Sequence, residues 1–159
     1  MALTSLGSTW VGSPRWSPDG ATVAFDRYEH GHSAIYTVSS EGGKPLRITG
    51  DESDTRPSFS RDGKWIYFTS NRSGTMEVWK VPPTGGTALQ VTHGGGSFAL
   101  ESADGTDLYN RNANALWAMP SAGGSPRLVL SDLRSTWELA GRSIYYMNGD
   151  RMRTLEFAI

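Results

Sequence analysis

The three histidines, His30, His32 and His93, are the side chains of this sequence best suited to bind a metal ion or to transfer a proton. His30 and His32 flank a single glycine, and the carboxylates of Glu29 and Asp51 lie within reach along the chain. Imidazole and carboxylate groups are ordinary zinc ligands, but two loop histidines without a fixed third ligand do not define a site. We therefore predict no metal site.

Motifs for covalent or cofactor chemistry are missing from the sequence. The chain has no cysteine and no G-x-S-x-G nucleophile elbow. The glycine run at 94–96 lacks the strand-to-helix setting of a phosphate-binding loop. Asp51, Glu52 and Asp54 are interpreted as a solvated acidic loop rather than as paired catalytic carboxylates. We predict no catalytic residues and no cofactor.

Charge and hydropathy argue against nucleic acids and membranes as binding partners. The 159-residue chain has 15 basic and 16 acidic side chains, a formal net charge of −1, and so lacks the basic excess of a nucleic-acid-binding protein. No apolar run approaches the roughly 20 residues that span a bilayer, and residues 1–10 lack the features of a signal peptide. We expect neither nucleic-acid binding nor membrane insertion, and the compartment stays unknown.

An internal repeat of about forty residues determines where these side chains lie. WSPDG (16–20) recurs as FSRDG (59–63), ESADG (101–105) and WELAG (137–141), the last with alanine in place of the aspartate. Short apolar segments follow each copy, and the first three copies also contain a Gly-Gly pair. Four short strands per unit, separated by Asp-Gly and Gly-Gly turns, predict the blade of a β-propeller.

The motif PRWSPDG, followed by an apolar strand, a YTV strand, GG and LRIT, resembles the TolB-like (WD-type) propeller repeat. The resemblance covers nearly the whole chain and is weakest over 131–159. It implies a six-bladed periplasmic propeller that docks peptide segments of partner proteins at its axial opening, and hence a periplasmic or extracytoplasmic location. Related repeats form the non-catalytic propeller of prolyl-oligopeptidase-type peptidases and the sensor regions of bacterial kinases or winged-helix regulators.

The predicted fold class is all-β: a β-propeller of four-stranded antiparallel blades, about four of them in this chain. One domain over 1–159 would comprise an N-terminal outer strand at 1–6 and blades at about 13–50, 56–93, 97–131 and 135–159. Sixteen strands would close a four-bladed ring if the N-terminal strand completes the last blade. Because a ring of only four blades requires a steep turn between neighbours, we favour the other two arrangements: two chains that form an eight-bladed dimer, or a chain that is part of a larger propeller. A complete chain is therefore expected to be a homo-oligomer.

Several aromatic residues recur at the same position of the repeat. Trp16, Phe59 and Trp137 share one such position and are interpreted as packing between neighbouring blades. Glu101 occupies this position in the third copy, which indicates either a carboxylate near the axis or a locally shifted strand.

The loops between outer and inner strands, and between the second and third strands, are expected on one face of the propeller. Binding residues usually concentrate on loops held by a rigid scaffold, so we predict the binding surface there. Its candidate residues are Arg27, Tyr28, Glu29, His30, His32, Asp54, Arg56, Asn71, Arg72, His93, Arg111 and Asn112. Arg72 also belongs to a turn typical of the family, which favours a structural role for it.

The sequence thus predicts a non-catalytic binding scaffold or sensor propeller that recognises a protein or peptide through its loop face or axial opening. Two alternatives involve enzymes. The chain could be the non-catalytic propeller portion of a prolyl-oligopeptidase-type peptidase, or a small metal-assisted hydrolase or lyase that uses the loop histidines.

Overall fold

The computed structural model describes residues 10–50 and 52–156, which form fifteen strands and no helix. Blade 1 contains β1 (Trp10–Trp16), β2 (Thr22–Glu29), β3 (His32–Ser39) and β4 (Leu46–Arg47). Blade 2 contains β5 (Asp54–Phe59), β6 (Ile66–Ser70), β7 (Glu77–Val81) and β8 (Leu89–Gln90). Blade 3 contains β9 (Ser97–Glu101), β10 (Asp107–Asn112), β11 (Ala115–Pro120) and β12 (Arg127–Leu130). Blade 4 contains β13 (Trp137–Ala140), β14 (Ser143–Asn148) and β15 (Arg151–Glu156).

Each blade is an antiparallel meander whose strands pair in chain order. The four sheets are arranged as a four-bladed β-propeller, so the predicted fold class is confirmed. The proposed N-terminal outer strand at 1–6 lies outside the described residues. Within the described ranges, no helix is available that could cross a membrane.

The same hairpin turn joins the first two strands of blades 1, 2 and 3. In blade 1, the Ser17 hydroxyl donates to the Asp19 carboxylate at 2.6 Å, and the amide of Ala21 donates to the same oxygen at 3.0 Å. Gly20 has φ of 70°, a left-handed conformation that glycine adopts without a Cβ clash. Because the turn itself supplies the donors to its aspartate, the same geometry recurs at Asp62 and Asp104.

Apolar side chains on the strand faces hold successive blades together. Ala24, Ile35 and Ile48 of blade 1 form one buried cluster with Ile66 and Phe68 of blade 2. A second cluster joins blades 2 and 3, and a third joins blades 3 and 4. Interior blades therefore bury both faces, which explains why their strands do not alternate strictly between apolar and polar residues.

Blade-to-blade packing accounts for Trp137 but not for Trp16. Trp137 is buried against blade 3, with 3% of its surface exposed. Trp16 lies on the face of blade 1 that is turned away from blade 2, where it is 59% exposed. The same repeat position is therefore core in blade 4 and surface in blade 1, because its environment depends on whether a blade lies against that face.

Glu101 lies between blades 2 and 3 rather than in a shifted strand. Its pairing with Leu108 repeats the pairing of Phe59 with Ile66 in blade 2. The buried Glu101 carboxylate accepts hydrogen bonds from the Tyr67 hydroxyl and from the backbone amide of Arg61, both at 2.7 Å. Burial, and then the hydrogen bond to this carboxylate, raise the pKa of Tyr67 well above its usual value. A buried polar link thus replaces the aromatic contact found at this position in blade 4.

Candidate functional site

The innermost strands of blades 1, 2 and 3 share a backbone irregularity six residues before the aspartate of the Asp-Gly turn. Ser13, Arg56 and Phe98 occupy this position with φ of 50°, 56° and 45°, and the strand pairing shifts beside each of them. Left-handed backbone is unfavourable for residues other than glycine, above all for bulky ones, and costs roughly 1–3 kcal/mol. Such strain persists only where the surrounding structure imposes it, and it is concentrated at functional sites.

These bulged positions surround an open cavity of about 520 Å³ near the axis. Ser13, Arg56 and Phe98 line it, and so does Arg134, which occupies the equivalent position in blade 4. All four blades therefore contribute to one cavity. We call this end of the axis, where the innermost strands begin, the loop end. The opposite end, which carries the hairpin turns of Asp19, Asp62 and Asp104, is the turn end.

Aromatic rings form one wall of the axial cavity. The rings of Phe98 and Trp137 meet edge to face, with centroids 5.2 Å apart. The Arg15 guanidinium carbon lies 5.3 Å from the centroid of Phe98, a cation–π arrangement. Arg15 also forms an ion pair with Glu138 at 2.7 Å, which links β1 to β13. A cation held against an apolar wall is partly removed from water, which strengthens its interaction with an incoming acceptor.

The remaining arginines of the cavity are held in different ways. The Arg111 guanidinium donates to the backbone carbonyls of Ala113 and Ser135, at 2.8 and 3.2 Å. The hydrogen bond to Asp132 raises the pKa of Arg134 above its usual value. The side chain of Arg56 makes no hydrogen bond or ion pair with residues 10–50 or 52–156, although its backbone amide donates to Asp26 at 2.8 Å.

The described cavity lining combines hydroxyl groups with positive charge. Ser135 and Thr136 supply hydroxyl groups, and the arginines supply fixed cations. The described lining includes no histidine and no carboxylate that could act as a general base for a hydroxyl nucleophile.

Five predicted binding residues lie on the hairpin of β2 and β3, which is longer than the sequence indicated. The two strands pair as far as Glu29 and His32, so only His30 and Gly31 form the turn. Arg27, Glu29 and the Tyr36 hydroxyl form a local cluster, in which the Arg27–Glu29 distance is 3.1 Å. The hydrogen bond from Tyr36 is the main reason that the pKa of Glu29 is lowered.

Tyr28 lies on the same hairpin, where its side chain is exposed. In blade 2, the buried Asp54 forms an ion pair at 2.7 Å with the half-buried Arg72. The guanidinium carbon of Arg72 also lies 5.1 Å from the ring of Phe68 and 5.0 Å from that of Trp79. Arg72 thus fastens the β6–β7 turn to the core of its own blade, whereas Asn71 is exposed in that turn.

His93 and Asn112 line a second cavity of about 420 Å³, together with Trp117 and Met119. The Asn112 side chain donates to the carbonyl of Gly94 at 2.7 Å, which ties the end of β10 to the loop before β9. This cavity has a more apolar lining than the axial one and contains no arginine.

The structure therefore separates the predicted binding residues into several groups. Of these residues, only Arg56 and Arg111 reach the axial cavity. His30 and His32 share one hairpin of blade 1, whereas His93 lies between blades 2 and 3. Within the described ranges, no three or more His, Cys, Asp or Glu side chains are grouped so that they could hold a metal ion. Asp51, the other acidic residue considered beside the histidines, lies outside those ranges.

Sequence reasoning missed Ser13, Arg15, Phe98 and Arg134 as cavity residues. A signal for three of them was present: Ser13, Phe98 and Arg134 occupy the same repeat position as Arg56. Alternation along an extended strand does not reveal this signal, because the bulge changes the direction of the side chain at that position.

The comparisons with known proteins agree with this architecture. The model of the TolB beta propeller domain matches residues 4–148. The chain belongs to this family. An uncharacterized protein of Agrobacterium fabrum is 35% identical over 55% of this chain and 29% of its own length. The Tol-Pal system protein TolB of Bordetella pertussis is 43% identical over 48% of this chain and 28% of its own length. The chain thus spans less than a third of these relatives.

Solved structures show the same fold. The crystal structure of TolB from Acinetobacter baumannii superposes with a TM-score of 0.82 at 22% identity, over 97% of this chain and 42% of that protein. A puromycin-hydrolyzing peptidase of Mycobacterium tuberculosis gives 0.64 at 19% identity, over 89% of this chain and 26% of that protein. At these identities the likeness concerns the fold alone.

Proposed function

We propose that this chain is a non-catalytic binding propeller that recognises a protein or peptide at the loop end of its axis. The observation that carries the proposal is the axial cavity of about 520 Å³, to which every blade contributes a side chain from the same repeat position. An open, preformed cavity on a rigid β scaffold is a typical ligand site.

Membership of the TolB beta propeller domain family supports this reading. A bacterial relative is named as a protein of the Tol-Pal system, which favours a protein partner over a small molecule. Since the chain spans only 28% of that relative, the partner of the whole relative is not transferred to this chain.

The composition of the cavity supports a role without catalysis. An acyl-transfer enzyme needs a nucleophile within hydrogen-bonding reach of a base. Ser13, Ser135 and Thr136 have no such base in the described lining. The likeness to a peptidase is a likeness of the propeller fold and does not favour hydrolysis by this chain.

The proposal is tested by selecting short random peptides displayed on phage against the immobilised protein. We expect enriched peptides whose binding is lost in Ser135→Trp, because an indole at the exposed cavity mouth blocks access. Ala122→Trp, at an exposed turn-end position of blade 3, is the matched control and should bind normally. Failure to enrich any peptide would overturn the proposed function. Peptides that bind both variants equally would place recognition away from the axis.

A further inference from the structure

Four arginines, one from each blade, line the axial cavity: Arg15, Arg56, Arg111 and Arg134. The whole chain carries a net charge of −1, so this is a local concentration of positive charge on a nearly neutral protein. Like charges around one cavity repel each other, and an anion placed among them relieves that repulsion.

Local carboxylates compensate only part of this charge. Arg15 is paired with Glu138, and Arg134 with Asp132. Arg111 donates to carbonyl oxygens, which fix its position without neutralising it. The Arg56 guanidinium has no protein partner within residues 10–50 and 52–156. Each guanidinium carries five N–H donors, so most donors around the cavity remain available to a ligand.

The backbone provides an independent observation. Arg56 is held at φ of 56°, in a conformation that an arginine adopts only under strain. The Asp26 carboxylate fixes this conformation by accepting the Arg56 amide at 2.8 Å. The strained backbone therefore lies at a charged residue of the cavity. Strained residues are concentrated at functional sites, so this position is typical of a binding residue.

The geometry points to an acidic peptide segment as the ligand, held through its carboxylates by these arginines. This inference rests on the proposed function and names the chemistry of its ligand. The planar guanidinium matches a carboxylate through two parallel hydrogen bonds. The rings of Phe98 and Trp137 add an apolar wall for the rest of the segment. A nucleic acid is disfavoured because a long polyanion needs an extended basic surface, whereas these four arginines surround one cavity of about 520 Å³ on a chain without a basic excess.

The test compares three fluorescein-labelled octapeptides of alternating glycine with glutamate, glutamine or lysine. Fluorescence anisotropy measures their binding to the whole chain. The glutamate peptide should bind best, and Arg56→Asn/Arg134→Gln should weaken it about tenfold or more. The matched control, Arg151→Gln/Arg153→Gln, removes the same charge from exposed positions on β15 outside the cavity and should change the affinity little.

The outcomes separate this inference from the proposed function. Equal binding of the glutamate and glutamine peptides, or equal losses in the two double variants, would overturn the acidic-peptide assignment. Phage-selected peptides that bind the cavity without acidic residues would do the same while leaving the proposed function standing. A labelled oligothymidylate that binds more tightly than the glutamate peptide would assign the arginines to nucleic acid instead. Enrichment of no peptide of any kind would remove both proposals.

Discussion

The two ends of the propeller axis are built from the same repeat but differ in how their polar groups are used. At the turn end, Asp19, Asp62 and Asp104 each accept a serine hydroxyl at 2.6–2.7 Å and a backbone amide at 3.0 Å. At the loop end, Arg56 and Phe98 keep strained backbones and line an open cavity. Self-satisfied, repeated geometry indicates a role in stability, whereas strained and partly unsatisfied geometry indicates a role in binding.

The largest expected effect is on the buried link between blades 2 and 3, close to the turn end. Glu101→Ala leaves the Tyr67 hydroxyl and the Arg61 amide without their acceptor. We expect the free energy of unfolding to fall by about 3 kcal/mol. Urea denaturation measures this change, and Glu41→Ala at an exposed position is the control. A change below about 0.5 kcal/mol, the size usual for surface sites, would show that the link is not needed.

The next largest effect is a difference in stability between glycine-to-alanine variants at the two ends. Gly63→Ala at the turn end forces a Cβ onto a backbone with φ of 71° and should cost about 1–2 kcal/mol. Gly94→Ala in the loop before β9 has no such φ and no atom within 4 Å of the new Cβ, so its effect on stability should be small. Thermal unfolding of both variants makes the comparison. Equal losses would contradict the assignment of stability to the turn end.

The sequence was sufficient to predict what depends on local chemistry. The Asp-Gly turns follow from residues that tolerate left-handed backbone, and the blade order follows from the repeat. The cavity could not be predicted in the same way, because Arg15 and Arg134 come together only when four distant strands surround one axis. The exposure of Trp16 likewise depends on the arrangement of blades and not on its position in the repeat.

A smaller effect of opposite sign is expected at the loop end. Asparagine tolerates left-handed backbone better than arginine does, so Arg56→Asn should raise the free energy of unfolding by about 0.5–1 kcal/mol. The same substitution removes a cavity cation and should weaken binding of the glutamate peptide. Urea denaturation and anisotropy on one sample reveal both changes. A variant less stable than the parent protein would contradict this expectation and show that Arg56 stabilises the fold.

The smallest effect is a pH dependence at the turn end. Hydrogen bonds from Ser60 and Ser102 are the largest causes that lower the pKa of Asp62 and Asp104 from 3.8 to about 2. Their contribution to stability is fully present above the unfolded pKa and is lost as the pH falls from about 4 through about 2. Asp62→Asn/Asp104→Asn should therefore lose less stability across this window. Urea midpoints at several acidic pH values measure the slope, and identical slopes would contradict the assignment.

The most direct test of the contrast between the two ends is an NMR map of the ligand site. The glutamate octapeptide is added to the ¹⁵N-labelled protein, and the shifts of assigned backbone amides are followed. We expect the largest shifts at Ser13, Arg56, Phe98 and Ser135 around the axial cavity. Shifts concentrated instead at the turns of Asp62 and Asp104 would contradict this expectation, because binding would then occur at the end that we assign to stability.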